Sequence, residues 1–230
     1  MKIRQLHEWR ISTTAAIKLQ KQLALLVSLN ETPDNFKYIA GVDVSIDRLH
    51  KEGIAAVVVL SYPKLELLEV SRLRGMVDFP YVPGLLSFRE APITLEAFSK
   101  LSITPDLVFV DGQGIAHPRR FGIAAHLGLV LDIPTIGCAK SRLCGLCEEP
   151  GIVVGDCTDL KDGDEIIGRV LRTKSGTKPV YVSVGHKISL KQATKWVLNC
   201  CQGFRLPEPT RLAHQAAGGH LQGAKKTSVV

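Results

Sequence analysis

One aspartate inside an apolar segment constrains this chain more than any other residue. Residues 38–45 read YIAGVDVS, an apolar run that predicts a strand, and Asp43 has apolar neighbours on both sides. Burying an unpaired carboxylate is strongly unfavourable unless a partner or a metal ion compensates the charge. The segment therefore predicts a strand that carries a functional acid.

Two further acids suggest what Asp43 does. Asp111 ends a second apolar run at residues 107–111, and Glu90 follows in the segment Phe88-Arg89-Glu90. Taken alone, each aspartate is typical of a turn or a helix cap, and Asp111-Gly112 is a common turn pair. Their joint occurrence favours a divalent metal site for phosphate chemistry, because Mg²⁺ takes oxygen ligands and is commonly held by carboxylates together with phosphate oxygens.

Composition agrees with a negatively charged ligand. The chain has 230 residues with 45% hydrophobic and 22% charged side chains, which suits one α/β domain and excludes a disordered chain. Its formal charge is +7, so acids at the predicted site would bind a negative ligand through metal ions. The alternative is a basic protein that is merely soluble. We expect a single domain over 1–230, with residues 218–230 as a flexible tail.

The cysteines and the N-terminal residues argue against a zinc-binding protein, a secreted protein and a membrane protein. Cys144 and Cys147 form a C-x-x-C pair without a second pair at zinc-finger spacing, so no structural zinc is expected. The N-terminus lacks an apolar signal core, and no apolar run of about 18 residues predicts a membrane span. We expect a cytoplasmic protein that makes no contact with membranes and is a monomer by default.

The pattern along the chain predicts a mixed sheet covered by helices. Predicted strands cover residues 38–45, 54–61, 65–73, 107–111, 134–138, 152–154, 166–172 and 180–184. Predicted helices cover residues 13–29, 84–101 with a kink or break at Pro92, about 119–131, 189–201 after a capping box at Ser189, and a last helix from residue 207. On helix 13–29, Gln20 counts with the polar face, and no chemistry is expected there.

Short links between the first three strands predict an antiparallel meander, and the later alternation of strands and helices predicts parallel pairing. The predicted fold is therefore α/β, with a mixed central sheet and helices on both faces. Groups at the ends of its central strands line one cleft, so Asp43 and Asp111 are expected to be neighbours. His214 on the last helix could add a metal ligand, position water or relay a proton, unless it is a surface histidine.

A proline-stiffened loop is a second candidate site. Residues 78–84 read DFPYVPG, in which Pro80 and Pro83 bracket Tyr81 and Val82. A rigid aromatic tip can replace a base in a nucleic-acid stack while the displaced nucleotide enters a pocket. In the alternative, Tyr81 packs against its own domain.

Glycines and cations surround the acids. Gly84, Gly112, Gly114 and Gly122 would let backbone approach a ligand closely. Positive charge near the acids could neutralise a phosphate, or it could only cap helices and pair with the acids; the residues are His117, Arg119, Arg120, Lys140 and Arg142.

Seven strings of the sequence together resemble the endonuclease V family, in order from about residue 38 to 215. They are GVDVS at 41–45, PYVPG at 80–84, FRE at 88–90, VDGQG at 110–114, AHPRRFG at 116–122, AKS at 139–141 and VSVGH at 182–186. The resemblance implies a ribonuclease-H-like fold and an endonuclease that depends on Mg²⁺, with Mn²⁺ as a substitute. It further implies action on deoxyinosine, the product of adenine deamination, with a nick at the second phosphodiester bond 3′ to the lesion that leaves 3′-hydroxyl and 5′-phosphate ends.

The resemblance also implies residue roles. Asp43, Glu90 and Asp111 would be catalytic carboxylates that bind the metal, and His214 and Lys140 would be catalytic as well. Residues that would contact the DNA lesion are Tyr81 as the wedge, Pro83, Gly84, Leu86, Gly112, His117, Gly122 and Ile123, with Lys140 and His117 beside the phosphate. The cysteines Cys138, Cys144 and Cys147 near Lys140 depart from the family pattern without replacing an acid.

Three alternatives to this function remain open. The same chemistry could act on inosine in RNA, because a preference for the 2′-hydroxyl cannot be read from these residues. A module that binds the lesion without cutting would be expected to lack one of the acids. Another ribonuclease-H-like enzyme, such as a junction resolvase or a transposase core, would not need the wedge and the pocket glycines.

Overall fold

The computed structural model describes residues 1–30, 35–47, 50–221 and 227–229, and all strands of these residues join one sheet. The strands are β1 (Tyr38–Asp47), β2 (Glu52–Ser61), β3 (Leu67–Met76), β4 (Leu107–Val110), β5 (Thr135–Ala139), β6 (Cys157–Asp162), β7 (Glu165–Leu171), β8 (Val180–His186) and β9 (Thr227–Val229). The helices are α1 (Thr13–Ala24), α2 (Leu86–Ser99), α3 (Ile123–Leu131), α4 (Leu190–Asn199) and α5 (Glu208–Ala217).

The sheet is mixed, as predicted, in the order β6-β7-β8-β5-β4-β1-β2-β3-β9. β1, β2 and β3 form the antiparallel meander, and β4 pairs parallel with both β1 and β5. Beyond β5 the sheet is antiparallel again, since β8 pairs antiparallel with β5 and β7, and β7 with β6. The prediction of parallel strands missed this reversal. Only residues 163–164 join β6 to β7, too few for the crossover that parallel pairing requires.

Helices cover both faces of the sheet, which confirms the predicted layers. Along β1, Ile39 packs in one cluster with Trp196 and Ala213 from α4 and α5. The next residue, Ala40, packs in the opposite cluster, which contains Phe98 of α2 and several residues of α3. Successive strand residues point to opposite faces, so odd-numbered residues of β1 face α5 and even-numbered ones face α2 and α3.

The predicted strand at residues 152–154 was wrong. Residues 152–154 are a loop in which Ile152 is 78% exposed, and the strand lies later, at Cys157–Asp162. The backbone N–H of Val153 donates to the Asp156 carboxylate at 2.9 Å, a turn contact in place of a sheet bond. Helix α2 runs through Pro92 as one helix, which excludes the break at this proline, while the kink stays a prediction. The capping box at Ser189 is confirmed.

The C-terminal segment is described only in part. β9 pairs parallel with β3 at residues 70–72, within the region where a flexible tail was expected. Residues 222–226 and 230 lie outside the described residues, so the prediction of a tail over 218–230 stays a prediction. Among the helices of the described ranges, none has the length and apolar character needed to cross a membrane.

Gly41 determines how closely α5 approaches the sheet. A Cβ atom built on Gly41 would lie 1.8 Å from the carbonyl oxygen of Pro209, at the start of α5. Helix and strand therefore meet backbone to backbone, which no larger residue at position 41 permits. Asp43 lies two residues further along the same face of β1, so its side chain also faces α5.

We expect Gly41→Ala to destabilise the protein by about 3 kcal/mol, because the added methyl group forces two backbones apart. Gly75→Ala is the matched strand control. Its Cβ would meet only the terminal methyl of Ile93 at 3.3 Å, and we expect a loss of less than about 1 kcal/mol. Urea unfolding measures both free energies. Equal losses for the two variants would show that the contact with Pro209 does not constrain α5.

Candidate metal centre and adjoining cavity

Parallel pairing brings Asp43 and Asp111 side by side. Val42 of β1 is in register with Val110 of β4, and the N–H of Asp111 donates to the carbonyl of Val42 at 3.1 Å. Each aspartate is the next residue after this register pair. Both side chains point to the α5 face, since Phe109, two residues before Asp111, packs in the cluster on that face.

His214 of α5 completes the group. Its Nδ1 lies 2.6 Å from Oδ2 of Asp43, and one ligand atom each from Asp43, Asp111 and His214 lie within 4.8 Å of one another. These atoms line a cavity of about 380 Å³. Glu90 of α2 lies on the wall of this cavity but outside the convergent group, so the structure brings together two of the three acids predicted to bind metal, with His214.

The electrostatics of this cavity favour a bound cation. Burial, and next the charge of Asp111, raise the pKa of Asp43 above its ordinary value. Burial, and next the charge of Asp43, raise the pKa of Glu90 to about 8. Several carboxylates thus share a low-dielectric space with unfavourable mutual repulsion. Carboxylate oxygens and an imidazole nitrogen are a donor set that fits a divalent metal ion, whose charge would relieve this repulsion.

Lys140 lies beside the acids. It directly follows β5, the neighbour of β4, and its Nζ is 2.5 Å from Oδ2 of Asp111. The guanidinium of Arg205 donates to the Lys140 carbonyl at 2.6 Å, which fixes the backbone at this point. A cation is therefore held at the rim of the metal centre, on the Asp111 side.

A second cavity, of about 360 Å³, adjoins the first. The two share Leu86, Asp111 and Lys140 in their linings. We call this second cavity the base cavity. Gly114, predicted with the pocket glycines, does not line it, and a Cβ atom there would lie 1.9 Å from the carbonyl oxygen of Val184 in β8. The eight other residues predicted to contact a lesion all line the base cavity: Tyr81, Pro83, Gly84, Leu86, Gly112, His117, Gly122 and Ile123. Tyr81 is 68% exposed at the mouth of this cavity, with the guanidinium carbon of Arg89 6.0 Å from the centre of its ring, and its role as a wedge stays a prediction.

His117 is buried, with only 3% of its surface exposed. Its Nδ1 accepts from the backbone N–H of Arg119 at 3.1 Å, so Nε2 carries the hydrogen and donates to the Gly84 carbonyl at 3.0 Å. Burial, and next the charge of Arg119, lower the pKa of His117 to about 4. The imidazole is neutral near pH 7, and both of its nitrogens bond protein groups. Its predicted contact with phosphate stays a prediction.

Sequence reasoning missed Gln20. It was assigned to the polar face of α1, yet it is 1% exposed and lines the base cavity. Together with Ala16 and Leu23 it forms the buried face of the helix. The spacing of four and three residues was the available signal, because a polar residue on an apolar stripe requires a buried hydrogen-bond partner.

The depressed pKa of His117 predicts a dependence of stability on pH. An imidazole with a pKa of about 6.5 in the unfolded chain and about 4 in the folded one stabilises the fold fully above pH 6.5. This contribution declines by about 1.4 kcal/mol per pH unit as the pH falls toward 4. We expect His117→Gln to reduce the slope of unfolding free energy between pH 6.5 and 4, measured with urea. Exposed His220→Gln is the control, and identical slopes for both variants would contradict the assignment.

Known proteins share this architecture and sequence. The family model for Endonuclease V matches residues 18–215. The endonuclease V of Dehalococcoides mccartyi is 52% identical over 217 residues, 94% of this chain and 97% of that protein. The crystal structure of endonuclease V from Streptomyces avermitilis superposes with a TM-score of 0.88 at 40% identity, covering 95% of this chain and 97% of that one.

A third relative was crystallised with nucleic acid. Ciona intestinalis endonuclease V, in complex with a 24-mer DNA containing an inosine followed by a ribo-adenosine, superposes with a TM-score of 0.81 at 28% identity. The match covers 91% of this chain and 97% of the Ciona chain. Because the family model and relatives of this identity span nearly the whole sequence, the chain belongs to the endonuclease V family of nucleases.

Proposed function

We propose that this protein recognises deoxyinosine in DNA and hydrolyses the second phosphodiester bond on its 3′ side, leaving 3′-hydroxyl and 5′-phosphate ends. The observation that carries the proposal is the shared wall of the two cavities. Asp111 and Lys140 line both the candidate metal centre and the base cavity. A nucleotide held in the base cavity would therefore have its backbone close to groups suited to phosphate chemistry.

Asp43, Asp111 and His214 would hold Mg²⁺, or Mn²⁺ as a substitute, and the ion would supply electrostatic stabilisation of the phosphate and of the attacking water. Glu90, whose charged form a bound cation would favour, would act in the same cavity as a partner for water, since Mg²⁺ usually keeps several of its waters. His214 is also placed to accept or hold a proton at Nδ1 in its contact with Asp43.

Lys140 would bring positive charge to the scissile phosphate. In the structure its ammonium pairs with Asp111 at the rim of the metal centre. A bound phosphate would offer the Lys140 ammonium additional oxygen acceptors. The ammonium could then neutralise negative charge on the nucleic-acid backbone.

The base cavity would receive the displaced inosine. Its volume of about 360 Å³ lies within the size class of small-molecule sites. Tyr81 would fill the gap left in the stack, and the backbone around Gly112 and Gly122 would approach the base closely. Support comes from the Ciona relative, which binds DNA containing inosine.

The domain organisation, the oligomeric state and the location in the cell are also part of this proposal. One sheet joins all strands of the described residues, which supports a single domain over 1–230. We further propose a monomer that works in the cytoplasm.

A strand-cleavage assay tests the function. A duplex with one deoxyinosine, labelled at one end, is incubated with Mg²⁺ or with EDTA, and the nick is mapped to a single nucleotide. A Mg²⁺-dependent nick at the second bond 3′ to the lesion is expected. Matched strands with inosine in RNA, or with a single ribonucleotide after deoxyinosine, run beside it. Cutting of RNA without cutting of DNA would establish the RNA alternative instead.

We expect Asp111→Asn to reduce the cleavage rate by about a thousandfold, because a bound metal ion supplies several kcal/mol of stabilisation in the transition state. Binding of the lesion, measured by fluorescence anisotropy, should change little. Asp164→Asn replaces an exposed acid and serves as the control. Near-full Mg²⁺-dependent nicking by the Asp111 variant would remove this residue from the metal centre.

We expect Tyr81→Ala to weaken discrimination between duplexes with and without deoxyinosine by about tenfold, since stacking of one aromatic ring on a base contributes about 1–3 kcal/mol. Tyr81→Phe keeps the ring and should keep most of the discrimination. Competition binding in EDTA measures both. Equal losses of affinity for the two duplexes would make Tyr81 an ordinary loop residue.

A further inference from the structure

Three side chains donate to one carbonyl oxygen at the end of the loop that carries Tyr81. The oxygen of Gly84 accepts from Nη2 of Arg119 at 2.7 Å, from Nε2 of Gln20 at 2.9 Å and from Nε2 of His117 at 3.0 Å. A carbonyl oxygen has only two lone pairs, so three donors are more than its hydrogen-bonding capacity requires. We call Gln20, His117 and Arg119 with this oxygen the Gly84 bracket.

Gln20 connects the bracket to the opposite wall of the base cavity. The same Nε2 that bonds Gly84 also donates to the carbonyl of Phe121 at 3.0 Å, and its Oε1 accepts from Nε of Arg119 at 2.5 Å. All hydrogen-bonding atoms of this buried amide thus have partners. One side chain spans from the end of the loop to the segment that precedes Gly122 and Ile123, both of which line the cavity.

The backbone conformation at position 84 requires glycine. Its φ of +79° lies in the left-handed region, and a Cβ there would come within 2.6 Å of Nη2 of Arg119. The loop itself is short and stiff, because Pro80 and Pro83 fix its torsions and the N–H of Leu85 donates to the carbonyl of Val82 at 2.9 Å. Any movement of Gly84 is therefore passed on to Tyr81.

A wedge needs such an anchor. Displacing a base from the stack costs a few kcal/mol. A loop tip that moves when it meets the stacked bases would therefore not separate them. Buried polar networks in which every member is satisfied are rigid and specify one geometry. The Gly84 bracket is such a network and lies directly behind the loop.

We propose that Gln20, together with Arg119, is a positioning residue that holds the loop of residues 81–84 at a fixed separation from the wall at Phe121, so that entry of the wedge and capture of the base occur together. This inference rests on the proposed function, because it assigns the bracket to base displacement. It places a specificity-determining residue on α1, outside all seven strings that carry the family resemblance.

The test variant is Gln20→Met, which keeps the length of the side chain and removes its hydrogen bonds. We expect kcat/KM on duplex deoxyinosine to fall by about tenfold, the effect of losing a buried hydrogen bond. On a single-stranded oligonucleotide with the same lesion, where no pairing must be broken, the value should stay within about twofold. Gln22→Met, an exposed change on the same helix, is the control and should leave both values unchanged.

A second readout does not depend on cleavage. With 2-aminopurine placed next to deoxyinosine in a duplex, binding of the unaltered protein in EDTA should raise its fluorescence through unstacking. Gln20→Met should raise it less at saturating protein. Arg119→Lys keeps the charge but loses the planar group that bonds Gln20 and Gly84 at once, and it should behave in the same way. It replaces Gln20→Met if that variant does not fold.

The outcomes separate the two proposals. Equal losses on duplex and single strand, or full activity and unchanged fluorescence in a folded variant, would overturn the positioning role of Gln20. Absence of cleavage by the unaltered protein on both substrates would overturn the proposed function, while the fluorescence experiment would still decide whether the bracket supports unstacking.

Discussion

The site depends on one backbone contact. Gly41 allows the start of α5 to lie against β1, where any side chain would collide with Pro209. This approach brings His214 onto Asp43 with Nδ1 and Oδ2 2.6 Å apart. A helix held off by the diameter of a side chain would leave Asp43 facing solvent and His214 out of reach. The absence of a side chain at one strand position thus creates a half-buried acid with a partner.

The second constraint is the parallel register of β1 and β4. It places Asp43, inside β1, beside Asp111, directly after β4, on one face of the sheet, where burial and the charge of Asp111 raise the pKa of Asp43. The neighbouring Glu90 carboxyl experiences the same environment. Carboxylates buried this close together repel one another unless positive charge lies nearby. Positive charge opposes this repulsion: among the described residues Lys140 pairs with Asp111, and the charge of Arg89 acts on Glu90.

The sequence predicted the parts of this structure that local pattern determines. Apolar runs located β1 and β4, and with them the acid inside β1 and the acid directly after β4. The sequence prediction failed where tertiary contacts decide: residues 152–154 are apolar but lie in a loop in which the Ile152 carbonyl accepts from the Ser175 hydroxyl at 2.9 Å. Gln20 looked like a surface residue because polarity was read without helical spacing, whereas its partners Gly84 and Phe121 are 64 and 101 residues away along the chain. The helical spacing indicates that Gln20 is buried, but the local sequence does not indicate which distant residues bond to it.

The candidate metal centre and the base cavity meet at a single peptide unit. Asp111 faces the metal centre, while the next residue, Gly112, lines the base cavity. β4, which leads into this peptide unit, is buried along its whole length, so the two cavities are joined by a rigid strand end. Under the proposed function, a flexible connection between the two cavities would allow cutting at several bonds. A rigid strand end would instead restrict the reaction to one bond at a constant offset from the lesion.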